Sequence, residues 1–157
     1  MSVDEMLHRF EGDKGRGPLV EAIAKQRITS GNHALAEEIA DLIALRAVPA
    51  GTTLIEQSSE DNDLFLIFEG EFEISVDGVV VAKRGAGDHV GEIAAIQPAL
   101  KRTATVVAKS DAVVGKLTES IFADIGDRYP TVYKAIAQQL AGRLLQSNKP
   151  AGPKRAK

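Results

Sequence analysis

The sequence contains no cysteine and no tryptophan among its 157 residues. Without cysteine the chain cannot form a disulfide framework, a thiol nucleophile or a thiolate metal site. Its apolar runs all fall short of the ~20 residues that span a bilayer, and its N-terminus lacks the basic and apolar regions of a secretory signal. We therefore expect a cytoplasmic domain that does not itself enter a membrane.

Positive charge is not in excess, because 19 lysines and arginines stand against 22 aspartates and glutamates, for a net charge of −3. Nucleic-acid-binding surfaces usually carry a basic excess, so we do not expect a nucleic-acid partner. Several cations fall in residues 147–157, together with prolines and a glycine but no apolar period. We predict that this segment is a basic linker or tail.

Patterns typical of catalysis and metal binding are also missing. His8, His33 and His89 are the only histidines, and they are too few and too scattered for a metal-binding barrel. The polar run Ser58–Asp63 lacks the oxygen spacing and the distal glutamate of a calcium loop. No Gly-x-Ser-x-Gly elbow or Walker loop occurs. We predict that the chain is not an enzyme and binds no metal or other cofactor.

The N-terminal part of the chain has a helical pattern. Leu19 and Ile23 share one helical face, and Leu35, Ile39 and Leu42 follow the same period. We predict that residues 1–45 form an N-terminal helical segment, in which two amphipathic helices follow a weakly ordered or helical lead-in.

From Pro49 onward the apolar period changes to two, and Asp77-Gly78 is a strong signal for a two-residue hairpin turn. Short strands separated by turns favour an antiparallel barrel or sandwich. The predicted strands are Thr53–Gln57, Asp63–Glu69, Glu71–Val76, Val79–Lys83, Thr103–Ala108 and Ala112–Leu117. The helical period returns over Ser120–Ile125 and again after Pro130, which suits the first turn of a helix.

The segment between Arg84 and Lys109 carries the chemistry. Gly91 permits a sharp turn into a short apolar helix whose first amides can face an anion. Glu92 is an acceptor-only carboxylate that suits a ribose 2′-hydroxyl. Arg102 is a permanent cation whose planar fork can meet phosphate oxygens with two donors, and it can also steady Glu92. Together these groups suit a ribose joined to a cyclic phosphodiester.

This segment, which reads G-E-I-A followed by R-T-A, resembles the phosphate-binding cassette of cyclic nucleotide-binding domains. The resemblance extends over Leu45–Arg143 and implies an antiparallel β jelly-roll barrel with N-terminal helices, a short cassette helix and a C-terminal lid helix. We take residues 46–146 as this domain. Small side chains in the cassette let the main chain approach a ligand, and Thr103 adds a hydroxyl. The ligand-contacting positions that the resemblance implies are Gly91, Glu92, Ile93, Ala94, Arg102, Thr103 and Ala104.

In this family the last helix folds over the bound base as a lid. The residues of the C-terminal helix that the resemblance makes lid candidates are Tyr133, Ile136, Leu140 and Arg143. A tyrosine ring can stack on a base and an arginine can lie across its face. The alternative is that this apolar stripe only packs on the barrel or on a partner helix.

The chain departs from the family pattern at two positions. Ser58 stands where the family usually has glycine, and Val90 stands where an aromatic residue usually precedes the cassette Gly-Glu. The missing ring alters the floor of the predicted pocket, so the base is left open among those of cAMP, cGMP, cCMP and cUMP.

The resemblance implies a sensory domain that binds a cyclic mononucleotide and signals through its lid helix. Among the outputs of such domains, the fused effectors of Pycsar-type antiphage systems, such as a TIR domain, agree with the N-terminal helices and the acidic composition. Amphipathic helices on both sides of the barrel lead us to expect a homo-oligomer, and a C-terminal effector domain is the expected fused partner. The alternative function is a structural jelly roll that binds no nucleotide and serves oligomerisation.

Overall fold

The computed structural model describes residues 1–147, so the predicted tail lies, after Ser147, outside the described residues. Three helices precede the strands: α1 (Val3–His8), α2 (Gly12–Ala24) and α3 (His33–Leu42). Ser2 and Glu5 form a capping box at the start of α1, and the Asn32 side chain caps α3. The two predicted amphipathic helices are confirmed, and the lead-in contains one further helix.

In the described part of the chain, eight strands form two four-stranded antiparallel sheets, and this confirms the predicted jelly-roll class. The sheets do not close into a single barrel. Their orders are β1-β8-β3-β6 and β2-β7-β4-β5. The strands are β1 (Ala44–Val48), β2 (Thr53–Ile55), β3 (Leu64–Glu69), β4 (Phe72–Val76), β5 (Val79–Arg84), β6 (His89–Val90), β7 (Thr105–Ala108) and β8 (Ala112–Leu117).

The six predicted strands are observed with bounds that differ by at most two residues, whereas β1 and β6 were not predicted. Strand β1 begins inside the predicted helical segment 1–45 and continues past its end, and before Val48 its side chains alternate only between exposed and half-buried. The two-residue β6 is too short to show a period. The turn between β4 and β5 confirms the hairpin signal, since Asp77 and Gly78 have positive φ angles of 52° and 81°.

Strand β3 separates two hydrophobic cores within residues 1–147. Phe65 and Ile67 point into the core between the sheets, whereas Leu64, Leu66 and Phe68 point into the core shared with the helices. Because both faces of this strand are covered, its sequence is the continuous apolar run L-F-L-I-F rather than an alternation of apolar and polar residues. The N-terminal helices thus share a core with the sheets.

Three helices follow or interrupt the strands: α4 (Glu92–Ile96), α5 (Glu119–Arg128) and α6 (Thr131–Ser147). Helix α4 matches the predicted cassette helix, and α6 begins directly after Pro130 as predicted. Thr118 caps α5 by accepting a hydrogen bond from the Ile121 amide. Within residues 1–147, no helix combines the length and apolarity needed to cross a membrane.

Candidate functional site

A pocket of about 230 Å³ lies between helix α6 and the end of the sheets from which the chain turns into α4. Apolar side chains from β2, β4 and β7 line one part of it, and the turn into α4 and residues 102–104 line another. Leu140 and Arg143 of α6 complete the lining. The seven predicted ligand-contacting residues all line this one pocket, namely Gly91, Glu92, Ile93, Ala94, Arg102, Thr103 and Ala104.

Gly91 joins β6 to α4 and adopts a left-handed conformation with φ of 90°. A Cβ atom here would lie 2.6 Å from the Asp63 carbonyl oxygen and 2.8 Å from Arg102 Nη1. The first hydrogen bond of α4 runs from the Ala95 amide to the Gly91 carbonyl at 3.2 Å. The amides of residues 92–94 therefore precede the hydrogen-bonded turn and are available to an acceptor in the pocket.

Arg102 is 4 % exposed and is held by three acceptors. Its Nη2 donates to Asp61 Oδ2 at 2.8 Å and to the Asp63 carbonyl at 2.7 Å, and its Nη1 donates to the Gly91 carbonyl at 3.2 Å. Its Nε also donates to Asp61 at 3.2 Å. A guanidinium has five N–H donors, and these contacts use four, so one Nη1 proton remains for a further acceptor.

Asp61 is the ion-pair partner of Arg102, which corrects the expected contact between Arg102 and Glu92. Burial alone would raise the pKa of Asp61, but hydrogen bonds from Arg102 and Ser59 outweigh it and the pKa lies below its ordinary value. The Asp61 side chain is 47 % exposed, so solvent screens this pair on one side.

Glu92 is 7 % exposed and has a partner on each carboxylate oxygen. His89 Nδ1 lies 3.0 Å from Oε1, and Arg143 Nη1 donates to Oε2 at 3.3 Å. Burial alone would raise the pKa of Glu92, but the hydrogen bond with His89 and the nearby charge of Arg143 lower it below its ordinary value. The carboxylate is therefore ionised, and His89 donates its Nδ1 proton to it.

The four lid candidates divide into two pairs. Leu140 and Arg143 line the pocket, and Arg143 contacts Glu92. Tyr133 and Ile136 do not line it. The Tyr133 ring packs edge-on against Phe122 of α5, with centroids 5.7 Å apart, and Ile136 is 1 % exposed in the core shared with the helices. In this arrangement Tyr133 and Ile136 pack within the fold, which agrees with the alternative prediction that the apolar stripe of the last helix only packs on the barrel or a partner helix.

Val90 lines the pocket, as expected of a floor position, and the lining residues that the sequence did not indicate are Ile55, Ile74, Arg84, His89 and Val106. The apolar pocket residues of β2, β4 and β7 could have been predicted from the inward-facing positions of those strands. His89 was considered only as a metal ligand, and no group of three His, Asp or Glu side chains suited to a metal occurs within residues 1–147. Nothing in the local sequence distinguished Arg84 from the neighbouring Lys83.

A family model for the cyclic nucleotide-binding domain matches residues 45–129. The chain belongs to this family. Two relatives extend the match to nearly the whole chain. The Pycsar effector protein BcPycTIR of Burkholderia cepacia is 41% identical over 97% of this chain and 50% of its own length. The Pycsar effector protein PaPycTIR of Pseudomonas aeruginosa is 38% identical over 94% of this chain and 48% of its own length. The chain thus spans about half the length of these curated relatives.

Solved structures of cyclic nucleotide-binding domains share this fold. A domain from Methylobacillus flagellatus superimposes with a TM-score of 0.73 at 20% identity, over 88% of this chain and 89% of that one. The regulatory subunit of a cAMP-independent protein kinase A from Trypanosoma brucei gives a TM-score of 0.70 at 26% identity, over 84% and 50% of the two chains. A cAMP-bound PfPKA-R gives a TM-score of 0.75 at 18% identity, over 91% of this chain and 49% of that one.

We expect Gly91→Ala to destabilise this cyclic nucleotide-binding domain by about 2–4 kcal/mol, because a Cβ there adds steric overlap to an unfavourable φ. Gly51→Ala is the matched control, since Gly51 has the same φ of 90° but open space around the added atom. It should cost only about 1–2 kcal/mol. Urea unfolding of both variants measures the difference, and equal costs would contradict the close approach at Gly91.

Glu92→Gln should lower the free energy of unfolding at pH 7 by about 1–3 kcal/mol, because charged hydrogen bonds are lost. The folded-state pKa of Glu92 lies below the ordinary value of 4.5, so its stabilisation is present above that pH and is lost as the pH falls through the folded value. The difference between variant and parent should therefore shrink as the pH falls below 4.5 and through the folded-state pKa.

Urea unfolding at neutral and acidic pH measures this difference. Glu60→Gln, which alters an exposed carboxylate outside the pocket, is the control and should change little at either pH. A difference for Glu92→Gln that stays constant with pH would show that the carboxyl is not ionised in the fold.

Proposed function

We propose that this domain is a sensor that binds a cyclic mononucleotide in the pocket beneath α6 and signals through movement of that helix. The observation that carries the proposal is the convergence of a buried arginine with a spare donor and a buried ionised carboxylate on one pocket. The first suits a phosphodiester anion, and the second suits a ribose hydroxyl donor. The proposed role of the chain itself is recognition rather than catalysis.

The phosphate would lie against Arg102 and the first amides of α4. Arg102 is buried and held by Asp61 and the Asp63 carbonyl, so its position does not depend on a ligand. Its remaining Nη1 proton and the amides of residues 92–94 supply donors in a partly desolvated place, where charge-assisted hydrogen bonds are strong. A bulky side chain at position 94 or 104 would fill this space, and both are alanine.

The ribose would lie against Glu92. A carboxylate has about four acceptor sites, and His89 and Arg143 occupy two of them. A 2′-hydroxyl can take a third site or replace Arg143, whose 3.3 Å contact is the longer of the two. In the second case ligand binding changes a contact made by α6. This supports the proposal that α6 reports the occupancy of the pocket.

We propose that α6 passes this change to an effector domain in the whole protein. The curated relatives are about twice the length of this chain and are named Pycsar effector proteins of the PycTIR type. By this analogy the output is a TIR domain that acts in bacterial antiphage defence. The homo-oligomer expected from the flanking helices stays a prediction.

A second candidate function is a structural jelly roll without a nucleotide. It is favoured by one observation, namely that both buried charges already have partners inside the protein. Arg102 is paired with Asp61, and Glu92 is paired with His89 and Arg143. In that case the pocket charges stabilise only the fold.

Arg102→Ala separates these two functions. In a sensor, loss of the charged phosphate contact should cost about 2–5 kcal/mol of binding free energy in calorimetric titration with cAMP, cGMP, cCMP and cUMP. Arg128→Ala is the control, because Arg128 has ion pairs with Glu38 and Asp124 but does not line the pocket. It should leave the affinity unchanged. Absence of binding to any of the four nucleotides by the unaltered chain would favour the structural alternative.

The movement of α6 is tested by amide hydrogen exchange with and without the nucleotide that binds. Binding should change the exchange of the α6 amides, and Arg143→Gln should reduce that ligand-dependent change because it removes the contact with Glu92. Lys134→Gln removes a charge from an exposed position on the same helix and should leave the change intact. An α6 exchange pattern that is identical with and without bound nucleotide would exclude signalling by this helix.

A further inference from the structure

Arg84 is the last residue of β5 and lies at the α6 side of the pocket. It lines the pocket with Ile74 from the adjacent strand and with Leu140 and Arg143 from α6. It also lines a second groove between β5 and α6, to which Arg143 contributes but the cassette residues Gly91 and Arg102 do not. Arg84 is thus the strand cation that faces both the pocket and the helix above it.

The guanidinium of Arg84 is incompletely paired within the described residues. Its Nη1 donates to the Lys83 carbonyl at 2.8 Å, whereas its Nε is buried without a hydrogen-bond partner. No carboxylate of residues 1–147 forms an ion pair with it, although Arg102 and Arg143 each have one. Arg84 Nη2 forms no hydrogen bond with residues 1–147 either, so the guanidinium keeps donors for an acceptor in the pocket.

The surroundings of Arg84 also favour an acceptor near its guanidinium. Burial lowers the pKa of the Arg84 guanidinium, and the neighbouring charge of Arg143 acts in the same direction, against the opposing effect of Asp88 and Glu92. The group stays protonated, because arginine does not lose its proton in proteins. It is therefore a donor-only group in a place that does not fully compensate its charge.

The part of a cyclic nucleotide that would reach Arg84 is the base, and this step rests on the proposed function. Arg102 and the α4 amides are assigned to the phosphate, and Glu92 is assigned to the ribose. The remaining lining combines Arg84 with the apolar side chains of Ile74, Val106 and Leu140, which suit the faces of a flat ring.

We propose that Arg84 donates to a carbonyl oxygen on the edge of the base, so that the domain selects a keto base over its amino counterpart. Uracil carries a carbonyl where cytosine carries an amino group, and guanine carries a carbonyl where adenine carries an amino group. An amino group at that place sets donor against donor and leaves the arginine unsatisfied. The preferred ligands are then cUMP over cCMP, or cGMP over cAMP.

Calorimetric titration of the 157-residue chain with the four nucleotides tests this selection. The unaltered chain should bind the keto member of a pair about 10- to 100-fold more tightly than the amino member. Arg84→Gln should reduce that ratio to within about threefold, and it should keep measurable binding because the phosphate contacts remain. Lys83→Gln is the matched control, because it removes a charge from the exposed neighbouring position and should keep the ratio.

Thermal unfolding of each variant verifies that it is folded. Arg84→Lys is a second variant that keeps the charge but not the planar fork, and it should also lower the ratio. Equal affinities for keto and amino members in the unaltered chain would overturn the proposal, and so would a ratio that survives both Arg84 variants or falls equally with Lys83→Gln. Failure to bind any of the four nucleotides would instead overturn the proposed function.

Discussion

The position of Arg102 is the constraint on which the rest of the site depends. A guanidinium that is only 4 % exposed needs acceptors on several sides, and it finds them in Asp61, the Asp63 carbonyl and the Gly91 carbonyl. These contacts tie the loop before β3 to the turn before α4. They also require that Gly91 carry no side chain, because a Cβ would meet both Arg102 and Asp63.

Glu92 links three parts of the fold through one carboxylate. It begins α4, accepts from His89 on β6, and contacts Arg143 on α6. The cassette and the last helix are therefore joined by a charge pair, whereas the neighbouring Arg102 network joins the loop before β3 to the turn before α4 and includes no residue of α6. This division separates a part of the pocket whose contacts lie in the cassette and the loop before β3 from a part whose contacts include α6.

Much of the fold and of the candidate site could be predicted from the local sequence. Alternating apolar residues marked six strands, and Asp77-Gly78 marked a hairpin, because these signals depend on backbone preferences of neighbouring residues. The cassette was readable because its chemistry lies in two short runs around Glu92 and Arg102. The short β6, the weakly alternating β1 and the pairing of Arg102 with Asp61 were not readable, since each depends on residues distant in the chain.

The sequence by itself determined the class of the domain and the residue types that gather in its pocket. These conclusions depend on local properties, namely backbone turns, apolar periods and the spacing of Gly91, Glu92 and Arg102. Such properties can be recognised in the sequence without knowing what packs against them. Only the tertiary structure decided which side chains pair and which face the pocket. Tyr133 turns toward Phe122 while Arg143 turns toward Glu92, and Arg84 is left with an unpaired buried donor, because these outcomes follow from how α6 packs over the sheets.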